Sequence, residues 1–101
     1  MGKVWYNTQM LNNALFRFIS DRKHFIWYVR DYRALNEEAV VEATLNYGNW
    51  NDVQELIGIL GIEHVARIFR KQMTTGRQRG NYYRDIANYF TLYFNKYVGV
   101  A

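Results

Sequence analysis

An all-α fold, a single compact domain of five or six short helices over residues 1–101, is what three features of this sequence predict. Apolar residues recur at i, i+3, i+4 and i+7 in one window after another, the period of a helix with one buried face. Asparagines that open helices and glycines that close them punctuate those windows. Proline is absent and glycine is limited to seven residues, so no stretch has the make-up of a linker, and no repeat or low-complexity segment divides the chain. Half the residues are hydrophobic and 18% are aromatic, which supplies a core and excludes wholesale disorder.

The first helix is expected over residues 8–19, with Asn7 or Thr8 as its cap and Leu11, Leu15, Phe18 and Ile19 on one face. Asp21 is a second cap, opening residues 22–29. Within that segment Phe25, Ile26, Trp27, Tyr28 and Val29 suit either an extended run or a buried helical turn, with the helix preferred, so the conformation of residues 22–34 stays open. Asn36 caps the next helix, with Glu37 and Glu38 in the first turn, where the helix dipole favours negative charge. Ala39, Val40, Ala43 and Tyr47 are expected to face the core, and Gly48 to stop the helix through its tolerance of positive φ.

Asn51 and Asp52 start another helix, with Val53, Leu56, Ile57 and Leu60 inward and Trp50 stapled onto the first turn from just before the cap. Gly61 ends it. Ile62, Val65, Ala66 and Phe69 carry a further helix to about residue 71. Residues 73–80 read as a polar loop holding Gly76 and Gly80. Asn81 caps a last helix that runs to Tyr97, with Tyr83, Ile86, Ala87, Phe90, Phe94 and Tyr97 on one side and Gly99 just beyond.

The absence of cysteine excludes disulfides, thiolate nucleophiles and cysteine zinc sites. No apolar run has the length of a membrane span, and the N-terminus lacks the apolar centre of a signal peptide, so a cytoplasmic protein is expected. The net charge of +4 conceals a three-block layout. Residues 1–35 carry six basic and two acidic side chains, residues 36–66 six acidic and no Lys or Arg, and residues 67–101 seven basic and one acidic. Such asymmetry points either to an acidic partner, most often nucleic acid, or to an acidic middle packed beside basic ends.

Two segments carry candidate binding chemistry. Arg67, Arg70, Lys71, Arg77, Arg79 and Arg84 lie in a stretch with no acidic residue, beside Tyr82 and Tyr83. Cations next to stackable rings suit phosphate contacts and base stacking, so this is the candidate nucleic-acid site. The competing reading is a solvated loop whose arginines meet Glu37, Glu42 and Glu55. Residues 53–71 have the outline of a helix-turn-helix, but Arg67 falls where a buried apolar residue is needed and the first helix is acidic. A helical hairpin in a core fits better. The second segment is the last helix, where Tyr82, Tyr83, Tyr89, Phe90, Tyr93, Phe94 and Tyr97 are too many rings for one buried face. Part belongs to the core, and Tyr89, Tyr93 and Tyr97 are the candidate protein interface, serving a second copy or a partner protein.

Enzyme signals are poor. Ser20 is the only serine, His24 and His64 lack metal-ligand spacing, and the glycines at 58 and 61 lack the flanks of a phosphate loop. Arg17 and His24 are loosely similar to the Arg–His pair of small helical RNases of the HEPN type. No catalytic residue, metal or cofactor is expected.

The segment Phe25-Ile26-Trp27-Tyr28-Val29-Arg30-Asp31, the helix from Asn36 to Tyr47-Gly48, the run Asp52 to Leu56, the turn Leu60-Gly61-Ile62-Glu63 and the basic loop leading from Arg77 to Phe94 together resemble a small bacterial helical domain of unknown function. Some members of that group are encoded beside nucleotidyltransferase toxins of abortive-infection systems. The resemblance spans roughly residues 25–94 and rests on helix punctuation. It implies an antitoxin-like or accessory, non-enzymatic, partner-binding role in a mobile or defence gene setting, and it brings no catalytic residues with it.

Overall fold

Helices Glu37–Tyr47 and Trp50–Leu60 each open on an asparagine side-chain cap and close at a glycine. The computed structural model describes residues 13–27, 35–74 and 82–100, and these form an all-α single domain. Among them are α1 (Asn13–Ser20), a 3₁₀ turn (Lys23–Ile26), α2 (Glu37–Tyr47), α3 (Trp50–Leu60), α4 (Ile62–Thr74) and α5 (Arg84–Tyr97).

In α1, Leu15, Phe18 and Ile19 are buried, as their spacing predicts, while Asn7, Thr8 and Leu11 lie outside the described residues. The chain then tightens, with the Arg22 amide donating to the Ile19 carbonyl and the Phe25 amide to that of Arg22. Asp21 therefore does not open an α-helix. The 3₁₀ turn enters at Arg22 without a side-chain cap, buries Phe25 and Ile26, and leaves Trp27 exposed. Residues 28–34 lie outside the described residues.

The central helix is α2, which touches α3, α4 and the 3₁₀ turn. The Asn36 side chain caps it by accepting from the Ala39 amide at 2.8 Å. Val40, Val41, Ala43, Thr44 and Leu45 are all buried, so the apolar arc is wide and turned away from Tyr47, which is exposed instead of facing the core. The Thr44 hydroxyl is satisfied within the helix by donating to the Val40 carbonyl.

Gly48 ends α2, but not through positive φ: its φ is −81°. The constraint is room. A Cβ there would stand 2.8 Å from the Thr44 carbonyl oxygen and 2.9 Å from the Asp52 Cβ. Helix α3 starts two residues earlier than the Asn51–Asp52 pair predicts. Asn49 is the cap, because Asp52 three residues on completes a reciprocal capping box with it, at 2.9 Å in both directions. Trp50 is thus the first residue of the helix instead of a staple before it. Gly61, at φ 88°, closes α3 as expected.

Helix α4 outruns the predicted end, taking in Met73 and Thr74, while Gly76, Arg77, Arg79, Gly80 and Asn81 lie outside the described residues. Tyr83 precedes α5 in extended backbone and belongs to its start, not its interior. The Phe69 ring of α4 meets Tyr82 at 5.1 Å, Phe94 at 5.5 Å and Phe90 at 6.3 Å, which seats α5 on the core.

Arg22 clamps α1 to α3. Its Nε donates to Asp52 at 2.9 Å, one terminal nitrogen to Glu55 at 2.7 Å and the other to the Phe18 carbonyl at 3.1 Å, with the guanidinium 4.1 Å above the Phe18 ring. Burial alone would raise the Asp52 pKa. The hydrogen bonds from Arg22 and the Asn49 amide, with the Arg22 charge, outweigh it and hold the carboxyl below its ordinary value.

Three outcomes follow for stability. Gly48→Ala should cost ~1–3 kcal/mol in urea unfolding, since backbone on one side cannot yield. Gly58→Ala, with open space around its Cβ and a mid-helix position, should gain ~0.5–1 kcal/mol. A lowered native pKa at Asp52 means its stabilisation is complete above the unfolded value of about 3.9 and is lost as pH falls through the native one. Urea midpoints of wild type and Asp52→Asn should therefore converge as pH drops below about 4 and stay apart above it.

Candidate interaction surface

Among its described residues the basic segment does not present one face. Arg67 is exposed, with a terminal nitrogen 3.2 Å from Nδ1 of His64, whose Nε2 lies 2.7 Å from Glu37. Lys71 pairs with Glu38 at 3.5 Å. The acidic middle therefore takes up part of the basic charge, through α2 for Lys71 and through α3 for Arg22. Arg70 turns inward, donating to the Asn95 side chain at 3.3 Å and to the Gly99 carbonyl, so it ties α4 to the end of α5. Arg77 and Arg79 lie outside the described residues.

Tyr82 is a core residue. It is 7% exposed and stands edge-on to Phe69, with its hydroxyl donating to Gln72 Oε1 at 2.5 Å. Gln72 in turn donates to the Glu38 carbonyl at 2.9 Å. Burial, then the negative charge of Glu42, push the Tyr82 phenol well above its ordinary pKa. A ring so enclosed cannot stack on a base, which corrects the expectation for Tyr82. Arg70 is likewise committed within the fold. Tyr83 is exposed, edge-on to Tyr47 at 5.9 Å, and Arg84 is exposed beside it.

The last helix divides its rings as the period requires. Phe90 and Phe94, one turn apart, are buried. Tyr89 (51% exposed), Tyr97 (57%) and the half-buried Tyr93 lie on the flank, and Leu92 is 69% exposed. Tyr89 and Tyr93 are nearly parallel, at 13° and 6.1 Å between centroids. Trp50, from the first turn of α3, stands edge-on to both, 5.2 Å from Tyr93 and 6.4 Å from Tyr89. Tyr97 adjoins Tyr93 at 4.8 Å. Beside them lies an open groove of about 260 Å³, lined chiefly by Leu45, Trp50, Val53, Ile86, Tyr89 and Phe90. Burial, then the neighbouring Tyr97 and Tyr89, raise the Tyr93 pKa, so this ring stays a neutral hydrogen-bond donor across physiological pH.

The period of α5 selects Tyr89, Tyr93 and Tyr97, but Trp50 and Leu92 escape it. Trp50 joins only through the early start of α3. Leu92 has a visible signal, an aliphatic residue three positions after Tyr89 and out of phase with Phe90 and Phe94.

His24 is exposed with its ring edge-on to Phe25, and His64 is held by Glu37 and Arg67 on the surface. Among the described residues no three His, Asp or Glu side chains gather as a metal site, and no helix is long and apolar enough to cross a membrane. No protein-family profile, curated protein or solved structure matches the chain. What the fold and surface define is a class: a small all-α domain with an aromatic face open to its surroundings.

Proposed function

We propose that this domain is a non-enzymatic interaction module of the cytoplasm that associates through the outer face of α5. One observation carries the reading: Trp50, Tyr89, Tyr93 and Tyr97 form a continuous aromatic face that the fold leaves in contact with water, and the exposed Leu92 stands three residues after Tyr89 on the same helix. Aromatic residues with a wet polar tip are the type enriched where proteins bind one another. An antitoxin-like or accessory role, which the resemblance implies, uses such a face to hold its partner.

A second reading assigns nucleic-acid binding to residues 67–84. It keeps Arg67, Lys71, Tyr83 and Arg84 at the surface, with Lys71 and Arg67 engaged by neighbours. The aromatic face supports protein association better, because its rings are contiguous and unclaimed by ion pairs.

A photoreactive amino acid placed at position 92 in living cells tests the proposal, with position 54 on the exposed side of α3 as control. The expected result is a discrete protein adduct at 92, absent at 54 and lost when Tyr89→Ser is added. Equal labelling at both positions would contradict it. Adducts to nucleic acid from position 83, with none from 92, would favour the second reading.

A further inference from the structure

The outer face of α5 has a pattern beyond its rings. Asp85, Tyr89, Leu92 and Lys96 are spaced by four, three and four residues, the spacing of a coiled-coil seam, and all four are exposed. They form one stripe along the helix with an acid at its first turn, a base at its last and two apolar residues between. Among the described residues neither Asp85 nor Lys96 has an ion-pair partner. The Lys96 ammonium rests 5.2 Å from the Tyr97 ring of its own helix. The stripe turns away from Phe90 and Phe94, so a second helix can lie along it without displacing the core.

Such a stripe is complementary to itself in one orientation. Laid antiparallel about a two-fold axis between positions 90 and 91, it sets Asp85 against Lys96 of the second copy and Tyr89 against Leu92, each contact occurring twice. Laid parallel, it sets acid on acid and base on base, which disfavours that arrangement. We infer that α5 pairs antiparallel with α5 of a second copy of this chain, the central Tyr89–Leu92 contacts supplying apolar burial and the flanking Asp85–Lys96 pairs fixing direction. This rests on the reading of α5 as the interaction face and names its occupant. Trp50 flanks the seam and widens the apolar surface the second copy covers.

Equilibrium sedimentation of wild type, Asp85→Lys, Lys96→Asp and the double variant Asp85→Lys/Lys96→Asp decides the matter, with circular dichroism as a check on folding. Each site is exposed, so helicity should be retained. Wild type should form a dimer. Each single reversal puts like charges at both ends of the seam and should weaken the dimer about tenfold or more, while the double reversal restores pairing to near the wild-type level. Single reversals that leave the dimer unchanged, or a double reversal that fails to rescue it, would overturn the antiparallel seam. A wild type that stays monomeric up to about 100 µM would overturn self-pairing altogether. In that case an adduct at position 92 to a different protein still upholds the interaction face, whereas no adduct there removes both.

Discussion

The packing of Phe69 against Phe90 and Phe94 is the constraint from which the rest of this molecule's surface follows. Phe90 and Phe94 are one turn apart, so seating both on α4 fixes the rotation of α5 about its own axis. Once that rotation is set, Tyr89, Leu92 and Lys96 have no choice but to face outward, and Tyr93 is left on the flank, where it meets Trp50. Arg70, reaching from α4 to Asn95 and the Gly99 carbonyl, holds the far end of α5 in the same register. The aromatic face is thus a geometric consequence of the core.

Electrostatics play a different part from the one the charge layout first suggests. The acidic middle of the chain meets basic residues drawn from both sides of it: Arg22 spans to Asp52 and Glu55, and Lys71 to Glu38. The Arg22–Asp52 contact lies partly sheltered from solvent and, with the exposed contact to Glu55, fastens α1 to α3. The pair at Lys71 is exposed and is worth little by itself. The basic block is divided by this arrangement into residues that serve the fold and residues that remain at the surface. It does not form a single cationic strip among the described residues.

Much of the fold was legible in the residues because local signals agree with one another. Asn36 followed by two glutamates, and Gly61 between two apolar helices, each mark a boundary that no distant contact overrides. The misreadings arise where two local solutions compete. Asn49 and Asn51 are both good caps, and Asp52 chooses the first by closing a capping box, which moves Trp50 into the helix. Gly48 reads as a conformational stop, but the need is steric and depends on how closely two helices approach. Tyr47 has the period of a core residue, yet Val41 and Leu45 turn the buried arc of α2 away from it. Tyr82 and Tyr83 are adjacent and alike, and only Phe69 and Gln72, ten or more residues earlier, decide which ring goes inside. The candidate interface was largely legible, since phenylalanine and tyrosine alternate in step with the helix. Its extension through Trp50 was not, because that ring arrives from another helix.

The rotation of α5 sets two side chains of one turn in opposed environments, Leu92 outside and Phe94 inside. Thermal unfolding of Leu92→Ala and Phe94→Ala at several protein concentrations measures this directly. Phe94→Ala should lose ~3–5 kcal/mol at every concentration, as a large core ring does. Leu92→Ala should match wild type within ~0.5 kcal/mol when dilute, and should lack the rise in Tm with concentration that a dimer confers. A large loss at Leu92 in dilute solution, or a negligible one at Phe94, would contradict the placement of α5 and everything built on it.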